Sequence, residues 1–344
     1  MVDPQTSETE WSAPVPIRHR AAIALLVGVA TSAWVHWGSV RNPAYRSDFD
    51  QLLFGARAIL HRVDPYGVIG PGRAFDQPWP FYYPPAATFV ALPFSGLSTV
   101  DARTGYAFCI AAGVTFLLLR GGYGKLPGVM SGAYLQAMSL LQWSPLMTCA
   151  LLAPAWGWVV AAKPNAGLLV LAGRGDRRSA VLYLTGAAVA LGLSFLLVPA
   201  WPAEWWAAIR AAPHVQPYAL RPGGALLLLA AMRWRRAEAR YLLALSLVPT
   251  STGPADTLLL FAFPHTFRQG LCLALLTHAA YFYGALQPPA ADMTAAVRVG
   301  ASATLVFVLL PALVVILRRP NIGPSLSQSR REPDTRADQR GPPE

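Results

Sequence analysis

Long apolar runs alternate with short polar breaks over most of this chain, and their lengths decide the fold class before any single residue does. Residues 21–40, 179–198, 270–286 and 296–317 each approach the roughly 20 apolar residues needed to cross hydrocarbon. The runs at 81–97, 103–119 and 220–232 predict further membrane segments. The stretch 127–173 is apolar too, but Pro145, Pro154 and Pro164 interrupt it and predict short, broken helices. Residues 241–263 carry a break at Pro249-Thr250-Ser251-Thr252-Gly253-Pro254. A hairpin of two half-helices there returns the chain to the side it came from; one kinked helix is the alternative. Irregular backbone at membrane depth is tolerated where it is buried in protein or lines a wet cavity, so 249–256 is expected to face an external cavity. The pattern predicts an all-α polytopic membrane protein. Residues 1–20 form a cytoplasmic N-terminal segment and 21–319 a single transmembrane domain, with 41–80 as its first external loop. Residues 320–344 read as a disordered cytoplasmic tail.

Composition supports this reading. Of 344 residues, 54% are hydrophobic and 13% charged, where soluble domains carry about 25% charged residues. The net charge of +11 could suggest nucleic acid, but the basic residues cluster beside apolar runs: Arg18 and Arg20; Arg174, Arg177 and Arg178; Arg233, Arg235, Arg236 and Arg240; Arg318 and Arg319. That is the distribution of cytoplasmic anchors, with no basic stripe for nucleic acid. Cys109, Cys149 and Cys272 lie in apolar stretches without metal-ligand or disulfide spacing. The first apolar run reads as a retained signal anchor.

The external loop holds the candidate chemistry. Ser47 followed by Asp50 resembles a capping box, and Phe49, Leu52, Leu53, Ala56, Ile59 and Leu60 recur at helical spacing. Asp50, Arg57 and His61 fall opposite, so 48–62 is expected to be an amphipathic helix on the outer membrane surface, with Asp50 satisfied by Arg57 or water. Asp48 points towards the apolar side, where a carboxylate is expensive and usually functional. Its bland alternative is a helix-start acid, and the Asp-x-Asp spacing alone is weak support for a metal, which wants several oxygen ligands. No metal or cofactor is called. Trp79, Phe81, Tyr82 and Tyr83 precede Pro84-Pro85 and read either as a wall for a sugar or lipid chain or as an interfacial aromatic belt. Lys163, in Ala161-Ala162-Lys163-Pro164-Asn165, faces either a cavity with an anion or an interface by snorkelling. Arg221 and His265, near helix ends, are weaker cationic candidates.

In order, Ser47-Asp48-Phe49, Asp64-Pro65-Tyr66, Tyr82-Tyr83-Pro84-Pro85 and Lys163-Pro164 resemble the membrane-integral glycosyltransferases of the C superfamily, most closely glycosyltransferase family 87. The resemblance implies a bundle of about 10–13 membrane helices, several short or broken, with an external amphipathic helix. It implies inverting transfer of a hexose, mannose in the best-known members, from a polyprenyl-phosphate donor to a lipid or glycan hydroxyl. The reaction would run on the outer face of a bacterial cytoplasmic membrane. Asp48 matches the catalytic position. Arg57, Tyr82, Tyr83, Lys163, Arg221 and His265 complete the candidate substrate-binding set. A lipid or sugar transporter or flippase is the alternative, and a non-catalytic scaffold a third reading.

Overall fold

A computed structural model describes residues 14–212, 215–249, 253–287 and 293–322. It is mostly helical, and the one sheet among the described residues is a two-residue pairing of Ile69–Gly70 with Phe75–Asp76. Among the described residues, four helices are long and apolar enough to cross a membrane: Ile17–Arg41, Thr99–Gly121, Arg177–Leu197 and Ala295–Arg318. Their outer faces are apolar. Within the hydrophobic window of Arg177–Leu197 only 17% of residues are buried, and Leu184, Leu193 and Leu196 stand exposed. Soluble proteins rarely leave so much contiguous apolar surface uncovered, and these four helices point to a membrane protein.

The remaining apolar runs are shorter and less regular than the sequence suggested. The run at 81–97 forms two 3-10 turns, Pro85–Val90 and Leu92–Phe94, and 220–232 becomes the 3-10 helix Gly224–Arg233. Prolines explain the fragmentation of 127–173. Pro145, Pro154 and Pro164 each sit in the first turn of a new element, where a missing N–H is harmless. Pro164 also drives Lys163 out of helical geometry, separating Val159–Ala162 from Pro164–Arg174. Farther along, Pro311 cannot donate to the Phe307 carbonyl, and the chain widens into a π turn at Leu305–Leu309.

Two short helical elements flank the break expected within 241–263, Ala237–Leu247 and the 3-10 helix Pro254–Ala262. Tyr241 reaches across it, its ring 6.1 Å from Phe263 and its hydroxyl donating to the Asp256 carbonyl. Thr250, Ser251 and Thr252 of the predicted break lie outside the described residues, as do the tail beyond 322 and residues 1–13.

Most basic clusters gather at one end. His19 bonds Tyr123 (3.2 Å), Lys125 donates to the Ala262 carbonyl, Arg236 and Arg319 both bind Glu238 (2.7 and 3.1 Å), and Arg233 caps the carbonyls of Leu317 and Arg319. Arg174 closes the eleven-residue helix Pro164–Arg174 at this end. Gly175 follows at φ 65°, a left-handed turn, and Asp176 caps the next helix through the Ser179 N–H. Arg240 donates to the Ala172 carbonyl beside them. Lys163, at the other end of that helix, is about 16 Å away at 1.5 Å per residue.

Candidate functional site

Four segments converge at the end opposite the arginines, and backbone hydrogen bonds fix them. The Asp48 N–H donates to the Leu140 carbonyl (3.0 Å), and the Tyr45 hydroxyl to that of Ser139 (2.6 Å). Gln136, in the helix Gly132–Ser139, accepts from the Ala255 N–H (3.0 Å). Asn165 donates to the Pro249 carbonyl (2.9 Å). These contacts, with the influence of the Lys163 and Asp256 charges on Asp48, gather residues 45–50, 136–143, 163–165, Pro249 and 253–256 at one place. Tyr83 arrives from the proline-rich segment and lies against Trp143, ring centroids 5.5 Å apart.

The two acids of Asp48-Phe49-Asp50 part company. Asp50 is fully buried and takes a bidentate pair from Arg103, Nε to Oδ1 and Nη2 to Oδ2, both 2.7 Å. Its Oδ2 also accepts the Ser47 N–H (2.8 Å), the returning half of a capping box. Such a fork fixes geometry as well as charge. The expectation that Arg57 or water satisfies Asp50 is therefore corrected: its partner is Arg103. So is the surface placement of the helix: Asp48–Leu60 buries Phe49, Asp50, Gln51, Leu52, Leu53, Gly55, Ala56 and Ala58, nearly its whole circumference. Small residues make that possible. A Cβ on Gly55 would stand 2.7 Å from the Thr88 methyl. With both Asp50 oxygens committed, the two carboxylates do not form a shared cation site.

Asp48 is partly buried, and its carboxylate accepts no hydrogen bond among the described residues. Burial pushes its pKa up to about 6; the Lys163 charge pulls it down, and Asp256 and Asp50 push it up. The Tyr83 and Tyr106 phenols also lie within its electrostatic reach. Lys163, likewise partly buried, makes no ion pair or side-chain hydrogen bond among the described residues. Unpaired opposite charges facing one another in a low-dielectric setting is the arrangement expected where a polar ligand is handled.

Of the sequence candidates, Asp48, Tyr83 and Lys163 come together. Arg221 stands one layer out, its guanidinium 5.9 Å from the Tyr218 ring, and Tyr218 in turn feels Asp256. The Tyr82 carbonyl accepts from Trp205 Nε1 (3.0 Å). Arg57 is used structurally, donating to the carbonyls of Ser95 (3.0 Å) and Leu97 (2.6 Å). His265 lies at the arginine end, where burial and then the Arg319 charge lower its pKa, so it is not part of the site. Asp256 is the residue missed individually. Its signal was the broken segment 249–256, which marked the place without singling out the acid. No family model, no curated protein and no solved structure matches this chain.

Proposed function

We propose that this protein is an inverting glycosyltransferase of the membrane, with Asp48 as general base. The observation that carries the reading is Asp48 itself: a carboxylate without a hydrogen-bond partner, pKa about 6, facing Lys163 and Asp256. A base with that pKa is about nine-tenths ionised at pH 7, close to the balance at which proton transfer is efficient. Asp48 takes the proton of an acceptor hydroxyl. The hydroxyl oxygen forms a bond to the anomeric carbon, and the bond from that carbon to the polyprenyl phosphate breaks. The phosphate leaves with the electron pair. A phosphate departs without being protonated, so one carboxylate suffices where an inverting glycosidase needs two. Lys163 is placed to stabilise the departing phosphate charge, and Arg221 to meet it as it withdraws. Tyr83, partly exposed and backed by the buried Trp143, supplies an aromatic face for the sugar.

The order of motifs shared with glycosyltransferase family 87 supports a hexose, mannose first, and a C-superfamily bundle. The arginine-rich end, by the positive-inside rule, supports a reading in which Asp48 works at the outer face of a bacterial cytoplasmic membrane. A second reading, lipid or sugar transport, is favoured by one feature: Lys163 and Asp256 both sit where helices are broken. Membranes containing the protein, supplied with radiolabelled polyprenyl-phosphate mannose, separate the two. Label moving into a new covalent glycan or glycolipid supports the enzyme. Donor that crosses the membrane unchanged, with no new product, supports transport and refutes transfer.

A further inference from the structure

A groove of about 220 Å³ at the arginine end takes no part in the site above. It runs between the helices Phe267–Leu286 and Leu310–Arg318, walled by Leu260, Phe263, Leu273, Leu276, Ala312 and Val315. One end of it is polar: Glu238, Gln269 and Arg319. There Arg319 and Arg236 both donate to Glu238 Oε1 (3.1 and 2.7 Å), and Arg319 also donates to Gln269 Oε1 (3.1 Å). Arg233 lies against the Leu317 and Arg319 carbonyls (2.9 and 2.7 Å). Two guanidinium groups thus share one carboxylate oxygen, and the Arg233 guanidinium is held on the adjoining backbone carbonyls.

We propose that this groove binds one acyl chain of an anionic phospholipid, with the headgroup phosphate at the arginine-rich mouth. The helices on both sides turn apolar side chains outward, Leu271, Leu275 and Val314 among them, so the groove opens where hydrocarbon chains are the surrounding solvent. From Gln269 to Leu276 it follows the helix for about 10 Å, long enough for a segment of one chain. The charge selects the headgroup. After Glu238 is neutralised the mouth keeps an excess of positive charge, and basic pockets between membrane helices favour anionic over zwitterionic lipids. Each guanidinium carries five donors, more than the hydrogen bonds it makes here. The polyprenyl-linked donor is a poor occupant: a phosphate held at this mouth leaves its sugar at the end opposite Asp48 and Lys163.

Cys272 lines the groove and Cys109, on another helix, does not; both are exposed and report without any substitution. The full chain, purified in detergent, is alkylated with N-ethylmaleimide in the presence of phosphatidylglycerol or phosphatidylcholine of the same chain length. Modification at each cysteine is followed by peptide mass spectrometry. Phosphatidylglycerol is expected to slow Cys272 by about fivefold or more relative to phosphatidylcholine, and 1 M salt to erase the difference by screening, with Cys109 unchanged throughout. Arg319→Gln is expected to narrow the same difference. Equal protection by the two lipids, equal slowing of Cys109, or stronger protection by a polyprenyl phosphate than by phosphatidylglycerol would each overturn the proposal.

Discussion

Replacing Asp48 by Asn should make the protein more stable, and by an amount that depends on pH. An isolated aspartate ionises near 3.8, whereas Asp48 in the fold ionises near 6, chiefly because burial disfavours its charged form. Below pH 3.8 the group is neutral in both states and costs nothing. As pH rises from 3.8 to 6 the unfolded chain ionises freely while the fold resists. Above 6 the penalty is complete. At about 1.36 kcal/mol per pH unit of displacement, linkage gives a cost of about 1.6 kcal/mol at pH 5 and about 3 kcal/mol at pH 8. Asparagine has nearly the same shape and no charge to desolvate. Asp48→Asn should therefore gain roughly those amounts in denaturant unfolding in detergent micelles, more at pH 8 than at pH 5. A variant that is no more stable than the wild type at either pH would refute the claim that the fold strains against this charge. The sign matters for function, because a group that lowers stability in its working form is one whose presence packing does not explain.

Three further outcomes follow from the same geometry. Arg103→Met should destabilise by about 3–5 kcal/mol, since it strands the buried Asp50 charge, and adding Asp50→Asn should recover much of the loss; equilibrium unfolding reads both. Gly132→Ala places a Cβ 2.4 Å from the Thr277 carbonyl oxygen. Backbone cannot yield as a side-chain tip can, so a loss of about 1–3 kcal/mol or more is expected, visible as a lowered unfolding midpoint. In the pH dependence of transfer, Lys163→Met should move the acid limb above 6 and Asp256→Asn should move it below, because the first removes a charge that lowers the Asp48 pKa and the second one that raises it.

The long apolar helices and the helix break near Pro249 were legible because each is written locally. Apolar length sets a span, and a proline-glycine cluster sets a break. Asp48 and Lys163 stood out as charges costly to place beside apolar segments, and Tyr83 as part of a proline-held aromatic run. The surface helix was misread because periodicity reports one face of a helix, and Asp48–Leu60 is covered on nearly all of them. Its polar residues did not announce that Asp50 had a partner 53 positions away in Arg103. Arg57 and His265 were misplaced for the same reason: a cation near an apolar run can cap carbonyls or join a distant cluster, and only the packing of remote segments decides which. Asp256 was obscured because its importance lies in which carboxylate it stands beside.

The account rests on Asp48 removing a proton from the acceptor, and the most direct measurement is the initial rate of sugar transfer from a radiolabelled polyprenyl-phosphate donor by wild type and Asp48→Asn. Both are compared in membranes at equal protein abundance. General-base catalysis of this kind contributes about 10²–10⁴-fold, so the variant should be at least about a hundredfold slower while folding as well or better. Transfer within about threefold of the wild-type rate would contradict the central claim, since a base worth that little falls far below the range for general-base catalysis.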